Sequence, residues 1–163
     1  MLTTARGAVV AIYRHIRVVI FTFTFFDPMV AKIPDSHADL LRSKVDVVLT
    51  TLSPEGYPQS TLVWCSFDGV NVLLNTGIGY KKERNMRRDP RISVFAVDPA
   101  NKMRWIEVQG DAELIEEGAL KHVNRLSHAY QGKDFYDLMP ELRGKEVRVI
   151  VKVTPRKVHV GKG

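Results

Sequence analysis

The sequence predicts an all-β domain with inserted helices, an antiparallel barrel of about six strands. Two observations predict it. Short runs of β-branched and aliphatic residues recur along the chain, each bounded by turn-forming residues such as Pro54-Glu55-Gly56 and Asp68-Gly69. The connections between the runs are mostly of hairpin length, which favours antiparallel over parallel pairing.

The elements follow in order. Asp35 or Ser36 can cap a short helix over Ala38–Arg42. Val45–Leu52 reads as a buried strand. Ser53-Pro54-Glu55-Gly56 is a turn, because proline presets one dihedral and glycine permits a positive one. Gln59–Phe67 is the second strand, Asp68-Gly69 the next tight turn and Val70–Thr76 the third strand. The period then changes. Tyr80–Arg88 is a short helix, stopped by Asp89-Pro90. Arg91–Val97 is the fourth strand, Asp98–Asn101 a loop, and Trp105–Ile115 the fifth strand, with Gly110 at a bulge. Glu116–Tyr130 is the one long helix, with Leu120, Val123, Asn124 and Ser127 spaced for one face. Gly132–Gly144 is a loop. Glu146–Thr154 is the last strong strand, extended by Val158-His159-Val160.

The organisation is one domain over residues 29–163, preceded by an apolar extension over residues 1–28. The run Val18–Phe26 is interrupted only by Thr22 and Thr24. It is too short to span a bilayer as a helix, which takes roughly 20 residues. Three readings of residues 1–28 stay open: a real extension, a start-site artefact with Met29 as the true first residue, or a secretion signal without a small-residue cleavage pattern.

Composition narrows the function. The hydrophobic fraction of 45% and charged fraction of 26% are ordinary for a globular domain, so disorder is not expected beyond the ends. A single cysteine, Cys65, excludes a disulfide framework and a multi-cysteine metal site, and suits a reducing cytoplasm. The net charge of +6 is concentrated: between Lys81 and Arg91 stand six bases against two acids. Such a cluster points to an anionic ligand or to nucleic acid. Aromatic interleaving is poor, since only Tyr80 lies beside these bases, which argues against nucleic acid.

The chemistry concentrates in Asn75-Thr76-Gly77-Ile78-Gly79-Tyr80-Lys81-Lys82. A strand ends in a hydroxyl residue, a loop with two glycines follows, and a helix opens with two lysines. Free N–H groups at a helix start favour an anion, whereas cations there are unfavourable unless an anion neutralises them. The spacing does not fit a nucleoside-triphosphate P-loop.

From Asn75-Thr76 through Tyr80-Lys81-Lys82 to Asp89-Pro90-Arg91-Ile92-Ser93-Val94, the chain resembles the split-barrel family of pyridoxamine 5′-phosphate oxidase. In that family a threonine-ended strand is followed by a serine-arginine-lysine group; here Tyr80 replaces the serine, Lys81 the arginine, and Lys82 is retained. Leu52–Gln59, Val63-Trp64, Arg84–Pro90 and Arg104–Gly110 resemble the branch of deazaflavin (coenzyme F-420)-dependent enzymes. The similarity runs from about Ile33 to Val160 and implies a split barrel and an oxidoreductase. A hydride would pass between bound coenzyme F-420 or FMN and a small organic substrate.

The resemblance implies that Lys81 and Lys82 hold the cofactor phosphate, with Asn75, Thr76 and Tyr80 beside it. The strand Gln59–Trp64 would run beside the ring, its backbone near Val63 meeting the pyrimidine edge and Ser60 and Thr61 adding hydroxyls. Trp64 and Trp105 would stack on the ring or line the substrate pocket. The resemblance also implies a homodimer with the cofactor at the subunit interface. The oxidase's carboxy-terminal substrate arginine and tryptophan motif is absent, which argues against that substrate. No side chain stands out as acid or base: His37, His122, His128 and His159 read as surface or helix residues, and Tyr130 and Tyr136 are the weak proton-donor candidates. The alternative is a non-catalytic split barrel that binds or stores flavin or haem.

Overall fold

The computed structural model describes residues 30–162; the apolar extension and its three readings lie outside them. Seven strands form one antiparallel sheet. They are β1 (Val47–Leu52), β2 (Pro58–Val63), β3 (Cys65–Phe67), β4 (Val72–Gly77), β5 (Arg91–Val97), β6 (Trp105–Ile115) and β7 (Arg148–Gly161). Their spatial order is β2-β1-β5-β6-β7-β4-β3. The helices are α1 (Lys81–Arg88), α2 (Ala119–Gln131) and the single turn α3 (Phe135–Leu138). Short 3₁₀ turns occupy Ala38–Leu41 and Pro140–Leu142.

The sheet order explains why the barrel is split. Strands β2 and β3 are its two edges, yet only Trp64 separates them in the chain. The sheet therefore curls until its edges meet, and the meeting point is covalent. This corrects the expectation of one continuous strand over Gln59–Phe67: β2 pairs with β1, whereas β3 pairs with β4. Local composition cannot reveal that switch, because both halves are equally strand-like.

Period-two patterning puts the core on one face of the curl. Val47 and Leu49 of β1, Val94 and Ala96 of β5, Ile106 and Val108 of β6, and Val151 and Val153 of β7 all point inward and are buried. Leu40 and Leu41 plug the core from the first 3₁₀ turn, and Met86 closes it from α1. The register of β6 against β7 shifts between Gln109 and Gly110, where the sequence places a bulge. A Cβ at Gly110 would lie 2.3 Å from the Thr154 carbonyl oxygen, so only glycine fits there.

Helix α2 starts three residues later than expected, after Gly118 in the left-handed region (φ 72°). Its buried face is also rotated from the expected one: Ala119, His122, Val123, Leu126 and Ser127 face in, and Leu120 faces solvent. His122, read as a surface or helix residue, is on the helix and buried, and His37, beside the first 3₁₀ turn, is buried too. The expected loop over Gly132–Gly144 contains α3 and the second 3₁₀ turn, both too short for sequence periodicity to show. Among the described residues, no helix is long and apolar enough to cross a membrane.

Candidate functional site

A cavity of about 560 Å³ opens where the end of β2, the end of β4, the start of β7 and the α2–α3 segment converge. Its size falls in the ordinary range for small-molecule sites. One wall is apolar: Val63 and Trp64 at the edge seam, Val123 and Leu126 of α2, and Phe135, Leu138, Met139 and Leu142 opposite. The other end carries Asn75, Thr76, Tyr80, Lys82 and Arg148. A second concavity runs along Leu120, Lys121, Asn124, Arg125 and His128; it follows one face of α2 and brings no separate elements together.

The cationic end is built on a hydrogen-bonded chain. Arg148 opens β7 and is buried. Its Nε donates to Asn75 Oδ1 at 2.8 Å, and its Nη1 donates to Glu146 Oε1 at 2.9 Å. Its guanidinium lies 4.5 Å from the centre of the Phe135 ring, a cation–π contact that ties it to the apolar wall. Glu146 Oε2 accepts the Tyr80 hydroxyl at 2.8 Å. That bond, and burial after it, raises the Tyr80 pKa. Asn75 Nδ2 donates to the Ala119 carbonyl at 3.0 Å and approaches His122 Nδ1 at 3.3 Å.

Asn75 fixes the protonation of His122. Its oxygen is committed to Arg148, so its amide faces His122 Nδ1, which must accept. The imidazole proton then sits on Nε2, toward Ser66 Oγ at 3.4 Å. Burial, and after it the charge of Arg125, depresses the His122 pKa to about 4, so the ring is neutral. Ser66 consequently has no base beside it.

Two groups at this end lack partners. Lys82 is half-buried, and its ammonium forms no ion pair or hydrogen bond with another described residue; its nearest aromatic neighbour is the Tyr80 ring, 5.8 Å away. Burial, and then the charge of Arg148, lowers its pKa. Thr76 Oγ1 is buried with no hydrogen-bond partner. An unpaired cation and an unsatisfied hydroxyl in one cavity both gain from an oxyanion.

The start of α1 is satisfied internally. Buried Glu83 accepts the Gly79 N–H at 3.0 Å and holds Arg87, so the chain supplies its own carboxylate where a ligand anion was expected. Arg84 donates to the Gly79 carbonyl, Arg88 to the Leu52 carbonyl and Arg91 to Asp89. Most of the basic cluster is therefore committed within its own neighbourhood.

Of the residues singled out in the sequence, Val63, Trp64, Asn75, Thr76, Tyr80 and Lys82 line this one cavity. Four lie elsewhere. Lys81 is exposed and outside the lining, because successive helical residues point about 100° apart. Ser60 is exposed on the outer face of β2, with its Oγ 2.9 Å from Thr50 Oγ1. Thr61 alternates to the inner face, and its hydroxyl is buried and unpaired. Trp105 packs against Phe95 on the outer face of the sheet, with ring centres 5.6 Å apart. Trp64 stacks on Tyr130 (5.3 Å), whose hydroxyl donates to the Val45 carbonyl at 2.9 Å. Tyr130 is thereby a brace for Trp64, and burial raises its pKa. Burial likewise pushes the Cys65 thiol up to about 12.

Arg148, Glu146 and the α3 wall escaped the sequence reading. The one available signal was the placement of two opposite charges, Glu146 and Arg148, just before the apolar run Val149-Ile150-Val151.

The family model for pyridoxamine 5′-phosphate oxidase matches residues 33–161. An F420 reductase of known structure is 26% identical, with 78% of this chain covering 98% of that one at a TM-score of 0.68. A conserved hypothetical protein from Mycobacterium tuberculosis is also 26% identical, covering 85% and 90% of the two chains at 0.63. HupZ of Group A Streptococcus, at 14% identity over 80% and 99% with a TM-score of 0.58, shares the fold. No curated protein matches. With the family model spanning nearly the whole barrel, the chain belongs to the pyridoxamine 5′-phosphate oxidase family.

Proposed function

We propose that the protein is an oxidoreductase that holds coenzyme F-420 or FMN in this cavity and acts on a small organic molecule. The observation that carries the reading is the pairing of unpartnered Lys82 with the unsatisfied Thr76 hydroxyl at the foot of an apolar trough. A planar ring with an anionic tail fits that division: ring against Val63, Trp64 and the α3 wall, tail toward Lys82, Thr76 and Arg148. The similarity to an F420 reductase supports the same class. When bound, the cofactor supplies hydride transfer; the chain's own residues bind, orient and exclude water.

The reading extends to a homodimer. On the outer face Leu62, Val48 and Phe95 stand in register across β2, β1 and β5, and Leu62 is 69% exposed. Leu62 also belongs to the cavity rim. A second copy seated on this face would bury the apolar row and wall the open side of the cavity. The single buried thiol suits the cytoplasm.

Titration of the purified chain with FMN and with coenzyme F-420, followed by fluorescence, tests the reading. Saturable binding of either supports it; no binding of either at high micromolar concentration rejects it. A carrier without turnover is favoured by one observation. The Tyr130 and Tyr80 hydroxyls are both committed to acceptors inside the chain and raised in pKa, and Tyr136, the other candidate donor, is outside the cavity lining, so none of the three is placed to donate a proton there at neutral pH. Tight binding with no reduction of the bound cofactor by any reductant would select that reading.

A further inference from the structure

The charge at the cationic end can be counted side chain by side chain. Lys82 contributes one positive charge without a partner. Arg148 contributes a second, but the Glu146 carboxylate is fixed to it at 2.9 Å, and both side chains are more than nine-tenths buried. The helix start nearby is already neutralised by Glu83, itself paired with Arg87. Lys81 points outside the cavity. Asp46, the other acid in the lining, acts on Cys65 and Tyr130 at the Trp64 side of the cavity, so the remainder at the cationic end is a single net positive charge beside a neutral hydroxyl donor, Thr76.

Glu146 is a built part of this arrangement. Tyr80 anchors one carboxylate oxygen and Arg148 the other. Gly77 leaves the space it needs, since a Cβ there would stand 2.7 Å from Glu146 Oε2. The carboxylate is thus held where it offsets a cation that could otherwise serve an anionic ligand.

Taking the cofactor reading above as given, we infer that this end of the cavity is matched to a singly charged phosphodiester and discriminates against a doubly charged phosphomonoester, with Glu146 setting the preference. A phosphomonoester carries about −1.5 to −2 charges at neutral pH, whereas a diester carries one. A single net cation balances the diester. The monoester leaves excess negative charge beside a buried carboxylate, where desolvation makes imbalance expensive. Of the two cofactors considered, FMN ends in a monoester and coenzyme F-420 carries a diester, so the count selects coenzyme F-420.

The test uses probes that share one ring: FMN, the methyl ester of its phosphate, and riboflavin, with coenzyme F-420 titrated alongside. On the full-length protein the methyl ester is expected to bind about tenfold more tightly than FMN, equivalent to about 1.4 kcal/mol. Glu146→Gln keeps an acceptor for Arg148 and removes the charge, and it should bring FMN level with its ester or ahead of it. FMN binding the unaltered protein as tightly as its ester overturns the inference, as does an unchanged ratio in a folded Glu146→Gln variant. The unaltered protein decides the matter alone if that variant does not fold. Riboflavin binding as well as both phosphorylated forms also overturns it, while leaving the cofactor reading standing. Failure of all four probes to bind rejects the cofactor reading and the inference together.

Discussion

The Tyr80 hydroxyl donates to Glu146 Oε2 at 2.8 Å, joining the start of α1 to the approach of β7 across 66 residues of chain. The bond exists because position 77 has no side chain. Gly77→Ala should displace Glu146 or Tyr80 and destabilise the fold by about 1–3 kcal/mol, the usual range for overpacking. Urea unfolding measures the loss. A variant as stable as the parent would show that the contact is easily relieved.

Lys82 and Lys81 should behave differently although they are neighbours. Lys82→Ala removes a cavity cation that has no ion pair among the described residues and should weaken binding of FMN or coenzyme F-420 by about 1.5–3 kcal/mol. Lys81→Ala, at an exposed position outside the lining, should change it far less. Neither substitution breaks an ion pair, so circular dichroism should be unchanged in both. Equal losses would mean that Lys81 swings into the site when ligand binds.

Thr76→Val separates binding from folding. The buried hydroxyl lacks a partner, so replacing it with a methyl group removes a desolvation penalty of about 1–3 kcal/mol. Thermal stability without ligand should hold or rise, while cofactor affinity falls. A drop in both would mean that the hydroxyl has an acceptor in the folded chain.

His122 should make stability depend on acid. Its pKa is depressed to about 4 in the fold, against an ordinary 6.5. The unfolded chain therefore binds the proton first as pH falls. The stabilisation is complete above about pH 6.5 and declines toward pH 4, with a slope approaching 1.4 kcal/mol per pH unit. Denaturant titrations across that window should show it, and His122→Gln should flatten this part of the profile. A profile of the same slope in the variant would assign the dependence to other groups.

Leu62→Glu tests the homodimer. A carboxylate in the exposed apolar row of β2, β1 and β5 should shift the protein to monomer in sedimentation and expose the cavity rim. If the parent protein already sediments as a monomer, the interface is not formed.

The strands were legible because their alternation is local: Val47, Leu49 and Thr51 face in while Val48, Thr50 and Leu52 face out, and each can be read from its neighbours. The break at Trp64 was not, because the choice of partner strand is made by residues far away in the chain. The divergence of Lys81 and Lys82 was available from helical periodicity alone. Glu83 was legible in principle too, as an acid three residues after Tyr80, the residue that caps α1, a position that suits capping. Arg148 could not be placed, since its role depends on Asn75 and Phe135, which reach it only once the barrel closes. The α3 wall is a single turn, below the length at which amphipathic spacing carries information.

Strand β7 lies between β6 and β4, so the last of the seven strands to leave the ribosome is the one that joins the two parts of the sheet. Until it emerges, β6 and β4 are two further unpaired edges, a template for association with other copies. Arg148 is the first residue of that strand, and the anion cradle is absent from every shorter intermediate. Ligand added during refolding should therefore leave the early steps unaccelerated and act only as a latch on the finished barrel.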